Sequence, residues 1–260
     1  MSFVITDTLP ASAQAIWFIW DNAQLLYIDG ALPATVDHLP LTRRRAIGEI
    51  NGTACFSAEL IGTAPGHAEW RSMRPAMLDM DLSHQQALSR ARQLNLFDQR
   101  NRFCSACATP LKDNSHDTGK QCPSCGALYY PPISPAMMVM ITRGNELLLA
   151  RAPHFAEGVY SALAGFVEPG ETLEQCVHRE AMEEVGVKIG NLRYVNSQQW
   201  PFPHSLMLAF TAEYRSGEIT PQAGEIEDAR WFTADKLPAL PSKVSIAWHL
   251  IQHTLSTLTG

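Results

Sequence analysis

GFVEPGETLEQCVHREAMEEVGV, Gly165 to Val187, decides the reading of this 260-residue chain. Glu171 stands in a glycine-flanked loop, followed by Arg179-Glu180, Glu183-Glu184 and Gly186. The pattern predicts a helix from Leu173, with Glu180, Glu183 and Glu184 at i, i+3 and i+4. At about 100° per residue they share roughly one 100° arc. That arc overlaps the apolar stripe of Leu173, Cys176, Val177 and Ala181. An ordinary surface helix keeps carboxylates opposite its apolar stripe. Here they crowd beside it, at a cost in like-charge repulsion and desolvation. A divalent cation removes both costs, and oxygen-only ligands select a hard ion, Mg²⁺ or Mn²⁺. Thr172 with Gln175 predicts a capping box, and Gly186 suits the left-handed residue after the last turn.

Composition bounds the rest. The chain is 46% hydrophobic and 18% charged, with a net charge of −6. That describes a globular protein and disfavours a bulk nucleic-acid binder, which needs a basic face to displace counterions. The one basic cluster, Arg43-Arg44-Arg45, reads as a solvated loop before it reads as a phosphate patch. No segment approaches the roughly 18 apolar residues of a membrane span. The opening, MSFVITDTLPAS, lacks a basic n-region and a long apolar core, so no signal peptide is expected and the cytoplasm is the default compartment.

Four of the six cysteines form a pattern: Cys104-x2-Cys107, fourteen residues, then Cys122-x2-Cys125. Two such knuckles give four thiolates around one tetrahedral Zn²⁺ with no open position, hence one structural zinc per chain. Pro123 and Gly126 supply turn chemistry, and Cys176 belongs to the apolar stripe.

Three domains are expected: an α+β domain over 1–98, a zinc ribbon over 99–131, and an α/β domain over 132–260. In the first, apolar runs Ile16–Trp20, Leu25–Ile28 and Ala54–Leu60 predict strands. Ser83 with Gln86 predicts a capping box opening a helix through about Phe97. In the last, Ala136–Ile141 and Glu146–Ala150 predict a hairpin around Gly144-Asn145. Leu192–Val195, Leu206–Tyr214 and Ala229–Phe232 predict further strands. Val244, Trp248, Ile251, Leu255 and Leu258 predict a closing helix. Between them lies Ser197-Gln198-Gln199-Trp200-Pro201-Phe202-Pro203-His204-Ser205, read as a stiff loop whose Trp and Phe can wall a planar base.

The stretch at 165–187 resembles the Nudix box of diphosphate-hydrolysing enzymes. Gly165, Glu171, Arg179, Glu180, Glu183, Glu184, Gly186 and Val187 all fall in place, and Ala181 is smaller than usual. Ribbon, box and the segment after it are together similar to the NADH pyrophosphatases, whose motif there is Ser-Gln-Pro-Trp-Pro-Phe-Pro-x-Ser. Gln199 replaces the first proline.

The resemblance implies an α/β/α sandwich with a mixed sheet, preceded by the ribbon and the small α+β domain. It implies cleavage of NAD(H) to AMP and nicotinamide mononucleotide, removal of NAD caps from RNA 5′ ends, and a homodimer. Carried over by position, Glu180, Glu184, Glu225 and the Ala164 backbone would hold Mg²⁺ or Mn²⁺. Tyr130 and Phe166 would sandwich the nicotinamide ring. Gln198, Gln199, Trp200, Pro201, Phe202, Pro203, His204 and Ser205 would bind substrate, with Ala247 at the pocket edge. Asp117, which replaces a usual Glu, and Arg74 are further transfers.

Metal ions bridging a diphosphate neutralise developing charge and orient water for in-line attack. Glu183 or Glu184 can then take the water's proton, and Glu183 is favoured because Glu184 is a ligand candidate. Arg179 is expected to orient carboxylates rather than touch substrate. Two other functions fit less of the pattern. One is a Nudix enzyme for ADP-ribose or a dinucleoside polyphosphate. The other is a non-enzymatic regulator, which the intact glutamates oppose.

Overall fold

The computed structural model describes residues 2–6 and 14–258. Most of the opening stretch read for a signal peptide therefore lies outside the described residues. The chain divides into two units, Met1–Pro132 with Pro201–His204, and Ile133–Trp200 with Ser205–Gly260.

In the first unit, β1 (Phe3–Val4), β2 (Ile16–Asp21), β3 (Gln24–Ile28), β4 (Leu41–Ile50), β5 (Thr53–Leu60) and β6 (Ala68–Ser72) form one sheet. Their order is β1-β4-β5-β2-β3-β6, with only β2 and β5 parallel. Alternation along β2 sends Phe18 and Trp20 to one face and Ile19 to the other. Helices α1 (Met73–Leu78) and α2 (Leu82–Arg100) cover the first face through Met73, Met77, Ala87, Leu88, Ala91 and Leu94. The buried Trp20 ring keeps its polar handle satisfied: Nε1 donates to Ser57 Oγ at 3.0 Å, which donates to Ala91 O at 3.2 Å.

Two expectations are corrected here. The cap of helix α2 lies two residues before the predicted one: Asp81 is the N-cap, accepting from the His84 amide at 3.0 Å, and Ser83 lies buried inside the first turn. The Arg43–Arg45 cluster is not a loop but part of β4. Arg43 pairs with Glu59, and Arg45 grips both oxygens of Asp98, at 2.8 and 3.0 Å.

The ribbon adds three short antiparallel strands, β7 (Lys112–Asp113), β8 (Lys120–Gln121) and β9 (Leu128–Tyr129).

The second unit holds β10 (Ser134–Arg143), β11 (Glu146–Arg151), β12 (Leu163–Phe166), α3 (Leu173–Val185), β13 (Lys188–Trp200), β14 (Ser205–Ser216), β15 (Asp228–Thr233) and α4 (Ile246–Leu258). The sheet order is β13-β14-β10-β11-β15, with β12 also paired to β10. The β10–β14 pair is parallel and the rest antiparallel, so the sheet is mixed. Met137, Val139 and Ile141 of β10 face α3, while Met138 and Met140 face α4. This is the α/β/α sandwich.

The predicted punctuation of α3 is present: Gln175 N donates to Thr172 Oγ1 at 3.2 Å and Thr172 N to Gln175 Oε1 at 2.8 Å. Gly186 sits at φ 74°, the left-handed region. One further correction concerns Ser197–Trp200, read as loop. These residues extend β13 and pair with β14 as far as Trp200↔Ser205, leaving only Pro201–His204 as the turn. Two prolines exclude ladder pairing only where they stand.

The cap assignment is testable. Asp81→Ala should destabilise the protein by about 1 kcal/mol, the usual worth of an N-cap. Ser83→Ala should change the urea midpoint by less. The reverse ranking would restore Ser83 as the cap.

Candidate active site and metal centre

Helix α3 lies on the sheet through Cys176, Val177, Ala181 and Val185, all fully buried. Glu180 and Glu184 share that face and are carried down with it, to 9% and 7% exposure. Glu183 projects further out, its side chain 52% exposed.

Arg179 organises the cluster. Its Nε and Nη2 grip both oxygens of Glu171, at 2.8 and 2.9 Å. Nη1 donates to Glu180 Oε1 and to Glu183 Oε2, each at 2.9 Å, and Nη2 also reaches Phe166 O at 3.0 Å. A planar guanidinium suits this many-sided grip. Its bond to Glu171, joined by the Glu168 amide, holds that carboxyl down at about 2. Glu171 was given no role from sequence; its signal was only its fixed place in the box.

Glu184 lies outside the grip. Burial, then the charges of Glu180 and Glu225, push its carboxyl up to about 8, opposed by the Ala164 amide. Its Oε2 is buried without a hydrogen-bond partner. Glu180 is also pushed upward, by burial first, against the pull of Arg179. An orphaned carboxylate oxygen among oxygen donors fits a hard divalent cation. Among the described residues the glutamates do not bring three ligand atoms within 4.8 Å of one another, as the ribbon cysteines do. Gly165 supplies the room: a Cβ there would lie inside the Glu180 carboxylate.

The remaining sequence-derived residues divide between the two units. In the second, Ala164 and Phe166 stand on β12, paired with Met138 and Ala136 of β10, and the Phe166 ring is 56% exposed. Glu225 is exposed and electrostatically coupled to Glu180 and Glu184. Gln198 uses both ends of its amide on the entry to α4: Nε2 donates to Val244 O, and Oε1 accepts from Ile246 N, each at 2.7 Å. Ala247 is buried beside it, and Ser205 is buried at the start of β14. Gln199 and Trp200 are half-buried at the end of β13. In the first unit, Pro201 is buried, Pro203 exposed and His204 half-buried, while Phe202 packs on the core and lies 4.6 Å under the Arg74 guanidinium. Asp117 is exposed, its Oδ1 accepting from the Gly119 amide at 2.7 Å. Tyr130 is 55% exposed.

The four ribbon cysteines converge. Sulfur separations are 3.5 Å for Cys107–Cys122, 3.6 Å for Cys104–Cys125 and 3.7 Å for Cys107–Cys125. A tetrahedral zinc with bonds of about 2.3 Å sets its sulfurs about 3.8 Å apart. The knuckles are built alike: Ala108 N donates to Cys104 O at 2.8 Å, and Gly126 N to Cys122 O at 3.0 Å. The Tyr129 hydroxyl holds the Cys104 thiol down at about 6. The Ala127 amide pulls Cys125 down, but its three neighbouring sulfurs outweigh it and push that thiol up to about 12. Four thiols this close ionise together only around a cation.

Fold and site define a hydrolase of the Nudix class that carries a zinc ribbon. The NUDIX domain family matches residues 132–254, and the NADH pyrophosphatase zinc ribbon domain matches 99–130. A NAD-capped RNA hydrolase NudC from Chromobacterium violaceum is 57% identical over 239 residues, 91% of this chain and 90% of the relative. One of the same name from Pseudomonas aeruginosa PAO1 is 50% identical over 224 residues, 85% of this chain and 80% of the relative. The chain belongs to the Nudix family, in its NudC branch. Among solved structures, a NUDIX hydrolase from Nitrosomonas europaea superposes with a TM-score of 0.51 at 23% identity, covering 60% of this chain and 90% of that one, which supports the fold alone. Among the described residues no helix is long and apolar enough to cross a membrane.

Two outcomes follow from this geometry. The Glu184 carboxyl is raised in the folded state, so its contribution to metal-free stability is complete below about 4.5 and is lost as pH rises through about 8. Glu184→Gln imitates the neutral acid. Without divalent metal the variant should gain in melting temperature over wild type as pH climbs through that window, and Mg²⁺ or Mn²⁺ should stabilise wild type only. A constant difference at all pH values would deny the raised pKa, and equal stabilisation of both proteins by the metal would remove Glu184 from the metal set. Arg179→Lys replaces a fork with a point charge that cannot span three carboxylates. Apparent metal affinity in activity titrations should fall about 10- to 100-fold, as for other residues that orient ligands; an unchanged metal dependence would deny Arg179 that role.

Proposed function

We propose that this chain hydrolyses the diphosphate of NADH and NAD⁺ to AMP and nicotinamide mononucleotide, and removes NAD caps from RNA 5′ ends. The observation that carries the reading is the orphaned Glu184 oxygen beside Glu180 and Glu225, in a chain with both the ribbon and the box of the NudC proteins.

Glu180, Glu184, Glu225 and the Ala164 backbone would hold Mg²⁺ or Mn²⁺. When bound, these ions neutralise the diphosphate oxygens and make an attacking water more acidic. Glu183, exposed and steadied by Arg179, accepts that water's proton as general base. Arg179 aims Glu180 and Glu183 through its hydrogen bonds to both. Tyr130 and Phe166, both exposed, are read as stacking on the nicotinamide, and residues 198–205, Arg74 and Asp117 are read as binding substrate. Gln198 acts through the backbone of 244 and 246, setting Ala247 at the pocket edge. The three-part division 1–98, 99–131 and 132–260 assigns chemistry to the last part and one structural zinc to the middle. Cysteines kept as zinc-binding thiolates suit a reducing compartment, so we place the enzyme in the cytoplasm, and the family resemblance implies a homodimer.

Chromatography of products from NADH, NAD⁺, ADP-ribose and NAD-capped RNA tests the reading. AMP with nicotinamide mononucleotide, and 5′-monophosphate RNA, are expected. Preference for ADP-ribose or a dinucleoside polyphosphate would select the other nucleoside diphosphate reading. Phe166→Ala should weaken NADH more than ADP-ribose, by about 1–3 kcal/mol in kcat/KM, the worth of stacking one base. Equal losses on both substrates would place that ring elsewhere.

A further inference from the structure

Tyr129 and Tyr130 are adjacent, and successive residues of extended chain point to opposite faces. Tyr129 points into the ribbon. Its hydroxyl accepts the Ser105 amide at 2.9 Å and lies 3.2 Å from Cys104 Sγ. A metal-bound thiolate has no proton, so the hydroxyl is the donor in that contact. Tyr130 points away and is 55% exposed.

The backbone of Tyr130 is fixed from several sides. Tyr129 anchors the chain before it, and Pro131 keeps it extended. Across the ladder Tyr129 pairs with Lys120, whose Nζ is held by Asp113 at 2.6 Å and by Asp98 at 3.0 Å. Arg45 holds the same Asp98. The Tyr130 ring rests against Gly119. A Cβ there would meet Tyr130 Cδ1 at 3.0 Å, and the Tyr129 oxygen and Asp117 Oδ1 at 2.9 Å each. Gly119 is buried and its φ is not in the left-handed region, so it is needed for space and not for conformation.

We propose that the zinc knuckle, through the Tyr129 hydroxyl, and Gly119, through the space it leaves, position the Tyr130 ring, so that the ribbon helps select the base-bearing half of the substrate. Tyr129 and Gly119 are positioning residues; neither touches the reacting atoms. The proposal rests on the reading of Tyr130 as a stacking surface and goes beyond it, because it gives a structural metal site a part in specificity.

The test uses the zinc-loaded full chain with NADH and with ADP-ribose, which lacks the nicotinamide. Tyr129→Phe removes one oxygen, and Gly119→Ala adds one methyl group. A whole stacked ring is worth about 5- to 150-fold. Each variant should lose part of that, about 3- to 30-fold in kcat/KM for NADH and mainly through KM, with ADP-ribose within about twofold of wild type. Both should keep one zinc per chain, and Tyr129→Phe should release it faster to a chromogenic chelator. In a Tyr130→Ala background neither should lower NADH turnover further. Equal losses on both substrates, full additivity with Tyr130→Ala, or unchanged NADH kinetics in both variants would overturn the proposal. If Tyr130→Ala leaves the NADH to ADP-ribose ratio unchanged, the stacking reading itself has failed and the positioning falls with it. A changed ratio in Tyr130→Ala with no change in the other two rejects positioning alone.

Discussion

Arg179 is the interaction on which the catalytic cluster depends. Glutamates carried into an apolar helix face repel one another and lose hydration, and one guanidinium relieves most of that by bonding to Glu171, Glu180 and Glu183 at once. Those partners come from the loop before α3, from its buried face and from its exposed edge. The same guanidinium reaches the end of β12 through Phe166 O. Loop, helix and strand are thereby fixed around a point that the arginine does not fill. Glu184, the carboxylate it leaves out, is the one with an orphaned oxygen and a strongly raised pKa. Carboxylates neutralised by an arginine and a carboxylate left without one are thus neighbours on one helix.

The ribbon obeys the same electrostatics with different atoms. Its thiols are too close to ionise together, and the opposite shifts of Cys104 and Cys125 express that conflict. Soft sulfur donors select zinc, while the hard oxygens of the glutamate cluster favour a hard divalent cation. The two centres therefore sort their ions by ligand chemistry without needing different affinities for one metal.

What could be read in the sequence was local. The span and caps of α3, the paired knuckles and the hairpin around Gly144-Asn145 depend on residues a few positions apart, and each formed as expected. Readings failed where the deciding partner lay far along the chain or where two local signals competed. Ser83 carries the local cap signal, but Asp81 takes the place in a turn where Gln85 Nε2 also ties down Met77 O and Met80 O. The fate of Arg43 and Arg45 was set by Glu59 and Asp98, which no spacing rule connects to them. The duty of Gln198 was hidden for the same reason, since its partners at Val244 and Ile246 are nearly fifty residues away. The prolines of residues 200–203 marked a turn correctly but overstated its length.

Strands β10 and β11 are apolar on both faces: Met137, Val139 and Ile141 serve one layer, Met138 and Met140 the other, and Leu147–Leu149 repeat the arrangement. Burial on two sides gives cohesion, but it removes the inside–outside contrast that ordinarily forbids a one-residue slip. A shift that moves Pro135 into the place of Ala136 would still bury only hydrocarbon and thioether along β10. It would, however, carry Ala164 and Gly165 of β12, which lie opposite Met138 and Met137, away from Glu184 and Glu180. The misregistered product would be compact, soluble and silent. Yield of folded protein is therefore a poor proxy for yield of enzyme in any variant that alters the turn at Gly144-Asn145.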